Sequence, residues 1–354
     1  MHATLRLNMK NLIMKKHSLL FCLLIAFSAA TFAQPEQDAK QLYETARTFM
    51  RQGDYDNALL VIKKALEKDP NNLEMLKDLE FIYFLQRNYE KAIETGKPLI
   101  DRADADVQAF QMLGLTYKAI AEYKECRKLY KRALAKFPSS GVIYNEYGEL
   151  LAMDKSLNEA IIQWEKGIEV DANYSSNYFN AIKFYSQQTN PDLFWILVYG
   201  EVFVNLESYT ARTVDAKKIL LEGYKKFYNT YDLNTNLKGK LPSVFEKETI
   251  NTLIKSKAIA SDGINAENIM AIKTRFVLDW FQSNGTKYPF RLYDHHQQML
   301  KEGIFNAYNQ WIFGAAANPD AYNLWLKAHD KEADAFKKFQ TARIFKIPAG
   351  QYYK

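Results

Sequence analysis

Cysteine is almost missing from this 354-residue chain, which has two, Cys22 and Cys126. A framework of several disulfides is thereby excluded, and the fold has to rest on packing. Glycine (14) and proline (9) are also scarce, which excludes collagen-like and Pro-rich chains and argues against a turn-dense all-β architecture. The apolar run near the N-terminus is about 15 residues, short of the roughly 20 that a membrane-spanning helix needs. No G-x-S-x-G, P-loop or Gly-rich dinucleotide loop occurs, and no H-x-x-x-H pair. What is abundant is aromatic: Phe 22, Tyr 23 and Trp 5, or 14% of the chain. Hydrophobic (48%) and charged (25%) fractions are those of a folded protein and exclude a mainly disordered one. The length points to two structural units.

The net charge of +6 is concentrated at one end. Residues 1–33 carry Arg6, Lys10, Lys15 and Lys16 and no acid, so without them 43 basic residues face 41 acidic ones. So small an excess gives no basic stripe and no reason to expect nucleic acid as a partner. From Met14, a possible true start, the chain reads as a secretory signal peptide: Lys15-Lys16, then the apolar Leu19 to Phe27, then Thr31-Phe32-Ala33 with small residues at −3 and −1. Cleavage after Ala33 is expected, exposing Gln34 and placing the mature chain in the periplasm or outside the cell, with no transmembrane span. Leu19-Leu20-Phe21 lacks the small residues that a lipidated Cys22 would require before it.

An internal period of 34 residues organises the next stretch. Ala58, Ala92, Cys126 and Ala160 lie 34 apart and are all small. Other registers run Ala46, Glu80, Gly114, Gly148; Phe49, Tyr83, Tyr117, Leu151; Ile62, Gly96, Tyr130, Trp164; and Ala65, Leu99, Ala133, Gly167. Pro70 and Pro138 stand two periods apart, and Asp69-Pro70-Asn71-Asn72 and Pro138-Ser139-Ser140-Gly141 read as helix stops followed by caps. Small, aromatic and Pro positions in this order make residues 39–174 resemble tandem tetratricopeptide repeats. Each unit is then a helix pair whose close crossing needs small facing residues, such as Gly114 against Cys126 or Gly148 against Ala160. Repeat two looks degraded by Glu80 and Gly96.

The expected fold class is all-α: a helical-hairpin solenoid over residues 39–208, about five repeats with the fifth degenerate, followed by a C-terminal helical region over 209–354. The resemblance implies a non-enzymatic scaffold whose first helices line a groove for a peptide or protein segment. Carried over position by position, that groove comprises Tyr43, Arg47, Lys77, Phe81, Phe84, Gln111, Leu115, Lys118, Asn145, Glu149, Phe179 and Lys183. It lacks the regular Lys and Asn set with which some members clamp a terminal carboxylate. The signal and the Tyr-, Asn- and Lys-rich composition look like those of Bacteroidota envelope proteins, so the partner is expected to be another envelope protein.

Residues 193–206 are apolar on nearly every face around a lone carboxylate, Glu201, and read as a buried join to the C-terminal part, with Glu201 expected either to pair with a nearby Lys or to mark a helix end at the join. Beyond Ala211 the period disappears, while i, i+3, i+4 apolar spacing predicts further helices, including about Asp294 to Phe313 and Pro319 to Phe345, with loops over Asn234 to Pro242 and Ser283 to Thr286. Eleven rings crowd residues 280–325, read first as core. The alternative is a ligand-binding or enzymatic domain around Asp294, His295, Glu302 and the neighbouring rings. Adjacent histidines on a helix point about 100° apart, so His295 and His296 cannot both serve one metal. No cofactor is implied.

Overall fold

The computed structural model describes residues 38–230 and 242–354; the signal segment read in residues 1–33 lies outside them, as does most of the loop expected from Asn234 to Pro242. Every regular element among the described residues is helical. Five helix pairs come first: α1 (Ala39–Gln52) and α2 (Tyr55–Lys68), α3 (Leu73–Leu85) and α4 (Tyr89–Asp101), α5 (Val107–Ala119) and α6 (Tyr123–Lys136), α7 (Gly141–Met153) and α8 (Leu157–Val170), α9 (Ser175–Ser186) and α10 (Leu193–Leu206). Then follow α11 (Ala211–Thr230), α12 (Val244–Ile254), α13 (Ala266–Ser283), α14 (Arg291–Lys301), α15 (Phe305–Asn309), a π-turn at Gln310–Gly314, α16 (Ala315–Ala317), α17 (Pro319–Ala328) and α18 (Asp330–Ala342). The chain divides into two compact units, one ending at Leu99 and the other beginning at Ile100. The division between these units falls inside α4.

The 34-residue period is written into the helix ends. Asp38, Asn72, Asp106 and Ser140, spaced by 34, each accept a hydrogen bond from the backbone N–H three residues on, satisfying a donor that the first turn leaves free. The next position is Tyr174, which caps nothing, and there the array becomes irregular. The turns inside the pairs repeat as well: Gly53, Arg87, Ala121 and Lys155 all have positive φ, at 76°, 58°, 59° and 60°. Only the first is the residue that adopts this conformation without cost.

Packing within the pairs exchanges volume between two registers. A Cβ on Gly114 would collide with the ring and hydroxyl of Tyr130, and one on Gly148 with the indole of Trp164. The small residue thus admits the large ring of its own pair, and Gly114 also meets Cys126 as expected, Cys126 Sγ reaching Gly114 O at 3.5 Å. In the second pair the exchange is inverted: Gly96 on α4 gives way to the Glu80 side chain on α3. What reads as degradation in sequence is a compensated swap. Gly148→Ala should cost about 1–3 kcal/mol, because the Trp164 ring must move in a filled core. Urea unfolding of Gly148→Ala against Gly148→Ala/Trp164→Leu checks this; the double variant should recover part of the loss.

The first unit has a small core of Leu42, Ala46, Ala58, Ile62, Ala65, Leu66, Met75 and Ile82. The second has a much larger one that runs from Ile168 to Ile347 without interruption. Helix α10 lies inside it with every residue from Leu193 to Val204 buried, as its all-round apolarity requires. No helix among the described residues is long and apolar enough to cross a membrane.

Two long C-terminal helices expected from periodicity are each broken. The first, Asp294 to Phe313, is interrupted after Lys301, where Gly303 takes φ 74°. The second, Pro319 to Phe345, divides at His329, and helix ends at Ala342. Phe336 and Phe339 of α18 reach the core while α17 buries none of its residues, so one straight rod would not serve both faces. Beyond Ala342 the chain runs without regular structure back to α8 and α9. The Asn173 side chain clamps the Ile347 backbone, donating to its C=O at 3.0 Å and accepting from its N–H at 2.8 Å. Tyr353 stacks on Phe245 at 4.3 Å, and Lys354 joins Glu165 and Tyr185.

Candidate functional site

Within each unit, first helices of neighbouring pairs are tied by polar side-chain contacts at matching positions of the repeat. Tyr43 Oη donates to Asp78 Oδ2 at 2.8 Å in the first unit. In the second, Gln111 Nε2 donates to Glu146 Oε1 at 3.3 Å, and Asn180 Nδ2 donates to Asn145 Oδ1 at 2.9 Å. All three contacts join positions 35 apart, one residue beyond the equivalent site in the next repeat. Burial and the adjoining Asp78 carboxylate push the Tyr43 hydroxyl up, so it stays a donor at any physiological pH. Arg47 Nε lies 3.9 Å from the same carboxylate.

Lys118 anchors the ladder in the second unit, 2.6 Å from Glu146 Oε2 and 3.4 Å from Glu149 Oε2. Burial works against its charge, but the two carboxylates outweigh burial and hold its amine above the usual lysine range. Asn145 Nδ2 also donates to Glu149 Oε1 at 2.9 Å, and Tyr130 Oη to Glu146 Oε2 at 3.3 Å. Lys118 with Glu146 and Glu149 leaves this stretch one unit negative. At the following helix the balance reverses, with Lys183 and Arg212 placed over the Phe179 ring at 5.5 and 5.3 Å.

The structure sorts the twelve sequence-derived positions. Arg47 and Lys183 are exposed, and Tyr43, Phe81, Phe84, Gln111, Leu115, Lys118 and Glu149 are half-buried, with Phe81 and Phe84 stacked at 6.1 Å. Lys77, Asn145 and Phe179 are 1%, 3% and 7% exposed, so these three offer little surface of their own to a partner. Lys77 reaches Glu74 at 2.7 Å, and Phe179 packs on Phe203 at 5.1 Å. Residues that position-by-position reasoning missed are Asp78, Glu146 and Asn180, the acceptors and donor on the far side of each ladder step. The signal was present as polar residues one place after Tyr43+34, Gln111+34 and Asn145+34, a place the repeat pattern itself does not mark.

A second polar cluster lies inside the large core. Glu201 on α10 meets Lys273 Nζ of α13 at 2.9 Å through Oε1 and His296 Nε2 of α14 at 2.8 Å through Oε2, while Tyr224 Oη of α11 donates to Oε1 at 2.9 Å. Lys273 Nζ also lies over the rings of Tyr308, Phe313 and Phe305 at 4.8, 5.3 and 5.5 Å. Burial would raise the Glu201 carboxyl, but Lys273 and His296 beside it hold it down at about 2. Burial, then the Lys273 charge, lowers His296 to about 4, so at neutral pH it is uncharged and its Nε2–H faces the carboxylate. The adjoining cavity is about 30 Å³, too small for an organic substrate, and the cluster is a buried structural network. The expected lysine partner of Glu201 is thus Lys273.

The alternative set of Asp294, His295 and Glu302 does not converge. His295 is wedged between Phe339 and Phe345 at 5.2 and 5.1 Å, and burial lowers it to about 3. Glu302 instead pairs with Arg343 at 3.1 Å, and Asp294 is only half-buried near Arg291. A site around these three residues is therefore corrected. Burial pushes the Cys126 thiol up to about 12, far from the range of a nucleophile. No group of three or more His, Cys, Asp or Glu able to hold a metal ion occurs among the described residues.

Residues 49–114 and residues 112–177 match two family models, each described as tetratricopeptide repeat. Among solved structures, the chain is similar to TTC0263, a thermophilic TPR protein of Thermus thermophilus, at 16% identity over 52% of this chain and 99% of that one, with a TM-score of 0.43. MamA from Desulfovibrio magneticus RS-1 is 16% identical over 49% of this chain and 95% of its own, at 0.38. YrrB, a TPR protein with an unusual peptide-binding site, is 20% identical over 51% and 92%, at 0.36. No curated protein matches the chain. With the helix pairs, caps and turns all recurring every 34 residues, residues 49–177 of this chain are tetratricopeptide repeats.

Proposed function

We propose that the protein is a non-enzymatic scaffold of the cell envelope that holds a peptide or protein segment of another envelope protein on the first helices of its repeats. The ladder of contacts between positions 35 apart carries this reading, because it fixes neighbouring first helices side by side and leaves a continuous polar and aromatic face in each unit. A preorganised face lowers the ordering cost of binding an extended segment. In the first unit that face offers Tyr43, Arg47, Phe81 and Phe84; in the second, Gln111, Leu115, Lys118, Glu149 and Lys183. A peptide-binding site on a repeat protein has a precedent in YrrB. The export signal read in residues 14–33, of the Bacteroidota kind, supports periplasmic or secreted placement.

The test is co-purification from the native host with two double variants, Phe81→Ala/Phe84→Glu and Leu115→Glu/Lys183→Glu. At least one should lower partner recovery about ten-fold, the scale of losing a central contact, with unchanged far-UV circular dichroism. An unchanged partner set in both would count against the groove.

A further inference from the structure

One cavity of the second unit belongs neither to the repeats nor to the buried Glu201 cluster. It measures about 480 Å³, within the range of small-molecule sites, and is walled by Tyr209, Trp311, Tyr322, Trp325 and Phe336. Helix α17 forms one side of it and is oddly built for a surface helix: Tyr322, Leu324, Trp325 and Leu326 follow closely on one another, yet none is buried and Leu324 is 67% exposed. Apolar side chains left uncovered beside a ring-lined cavity mark a surface made for contact.

Charge decides what kind of contact. The ionisable groups on the lining besides the tyrosines are Asp330, Asp334 and Lys337, all on α18, a net of one negative charge. Asp330 and Asp334 are four apart and share a helix face, and Lys337, one turn further, leaves at least one carboxylate without a cation from the lining. Aromatic ring faces also present negative potential. Rings and carboxylates therefore favour the same ligand sign, whereas a neutral polyol gains from neither. Lys217 Nζ lies 3.8 Å from the centre of the Trp311 ring, on a wall of the same cavity, and burial lowers its amine to about 7, so it adds little fixed positive charge there. Trp325 has one face stacked on His329 at 4.6 Å, which holds the indole in place.

We infer that this cavity binds an organic cation, a quaternary ammonium or guanidinium group, seated against Trp325 and Tyr322 with Asp330 and Asp334 as countercharge. The site is separate from the groove of the repeats, so either can fail without the other.

Calorimetric titration of the full chain with choline chloride tests it, beside the neutral isostere 3,3-dimethyl-1-butanol and N-acetylglucosamine. Choline should bind saturably and the neutral isostere about ten-fold more weakly, the scale of a partly desolvated cation–π contact. Trp325→Ala should abolish binding, and Asp330→Asn/Asp334→Asn should weaken it about three- to ten-fold, each with unchanged far-UV circular dichroism, since both aspartates are exposed and Trp325 is only half-buried at the edge of the core. An acetylated Gly-Arg-Gly amide in parallel separates the sources: tighter binding than choline assigns the site to a cationic side chain of a partner, weaker binding to a free ammonium compound. Absence of saturable binding by both cations, equal binding of the neutral isostere, or binding of the sugar alone would overturn the inference.

Discussion

Lys273→Met is expected to destabilise the second unit by about 3–5 kcal/mol, among the largest effects of any single substitution in this protein. The lysine is fully enclosed, and its loss leaves the Glu201 carboxylate in an apolar interior with only Tyr224 and the neutral His296 as donors. The size of the loss reflects the stranded charge more than the net worth of the pair. Glu201→Leu/Lys273→Met should consequently be more stable than Lys273→Met alone, since no charge is then buried without its partner. Urea unfolding of the wild type, both single variants and the double variant forms the cycle that reads this out. A double variant as unstable as the sum of the singles would show that the pair is not coupled. Two buried histidines, one of them in this network, make the second unit acid-sensitive. His295 and His296 are held at about 3 and about 4, below their unfolded value, so the stability they contribute is complete above pH ~6.5 and is lost as pH falls through those values.

The first unit should respond to pH in the opposite direction. Glu80 is fully buried beside Gly96, neither of its carboxyl oxygens has a hydrogen-bond partner, and burial raises it from 4.5 to about 8. Because its folded pKa lies above the unfolded one, the stability tied to the neutral acid is complete below pH ~4.5 and is lost as pH rises through about 8. The shift corresponds to a loss of up to about 4 kcal/mol between pH 4.5 and 9. Glu80→Met keeps the length of the side chain over Gly96 and removes the proton. It should lack the decline of first-unit stability with rising pH that Glu80 causes, and it should exceed the wild type in stability at pH 9. Thermal melts of both proteins at pH 5, 7 and 9 decide the matter: the same pH dependence in the wild type and in Glu80→Met would mean that Glu80 escapes its site or is charged within it.

The repeat architecture was legible in the sequence because it is local. A helix pair closed by a short turn needs a cap, a left-handed turn residue, small crossing positions and a ring to fill the gap, all within 34 residues, and each repeat states these again. The groove was legible only in part. Tyr43, Gln111 and Asn145 could be placed by register, but whether a side chain at such a position faces solvent depends on its neighbours in the next helix. That is why Lys77, Asn145 and Phe179 are enclosed and why Glu146, unmarked in the pattern, holds Lys118.

By itself, then, the sequence determined an all-α chain, the period and ends of its repeats, and a buried helix at residues 193–206. Tertiary structure alone decided that Glu80 and Gly96 compensate each other, that Glu201 takes Lys273 and His296, and that the rings between Trp311 and Phe336 line a cavity rather than only a core. The physical reason is range. Propensity, capping and amphipathic spacing act over a turn or two of one helix and leave a periodic trace. Close packing and buried charge pair residues that are remote in sequence, such as Glu201 and His296, 95 positions apart, on helices that the chain brings together only when it folds.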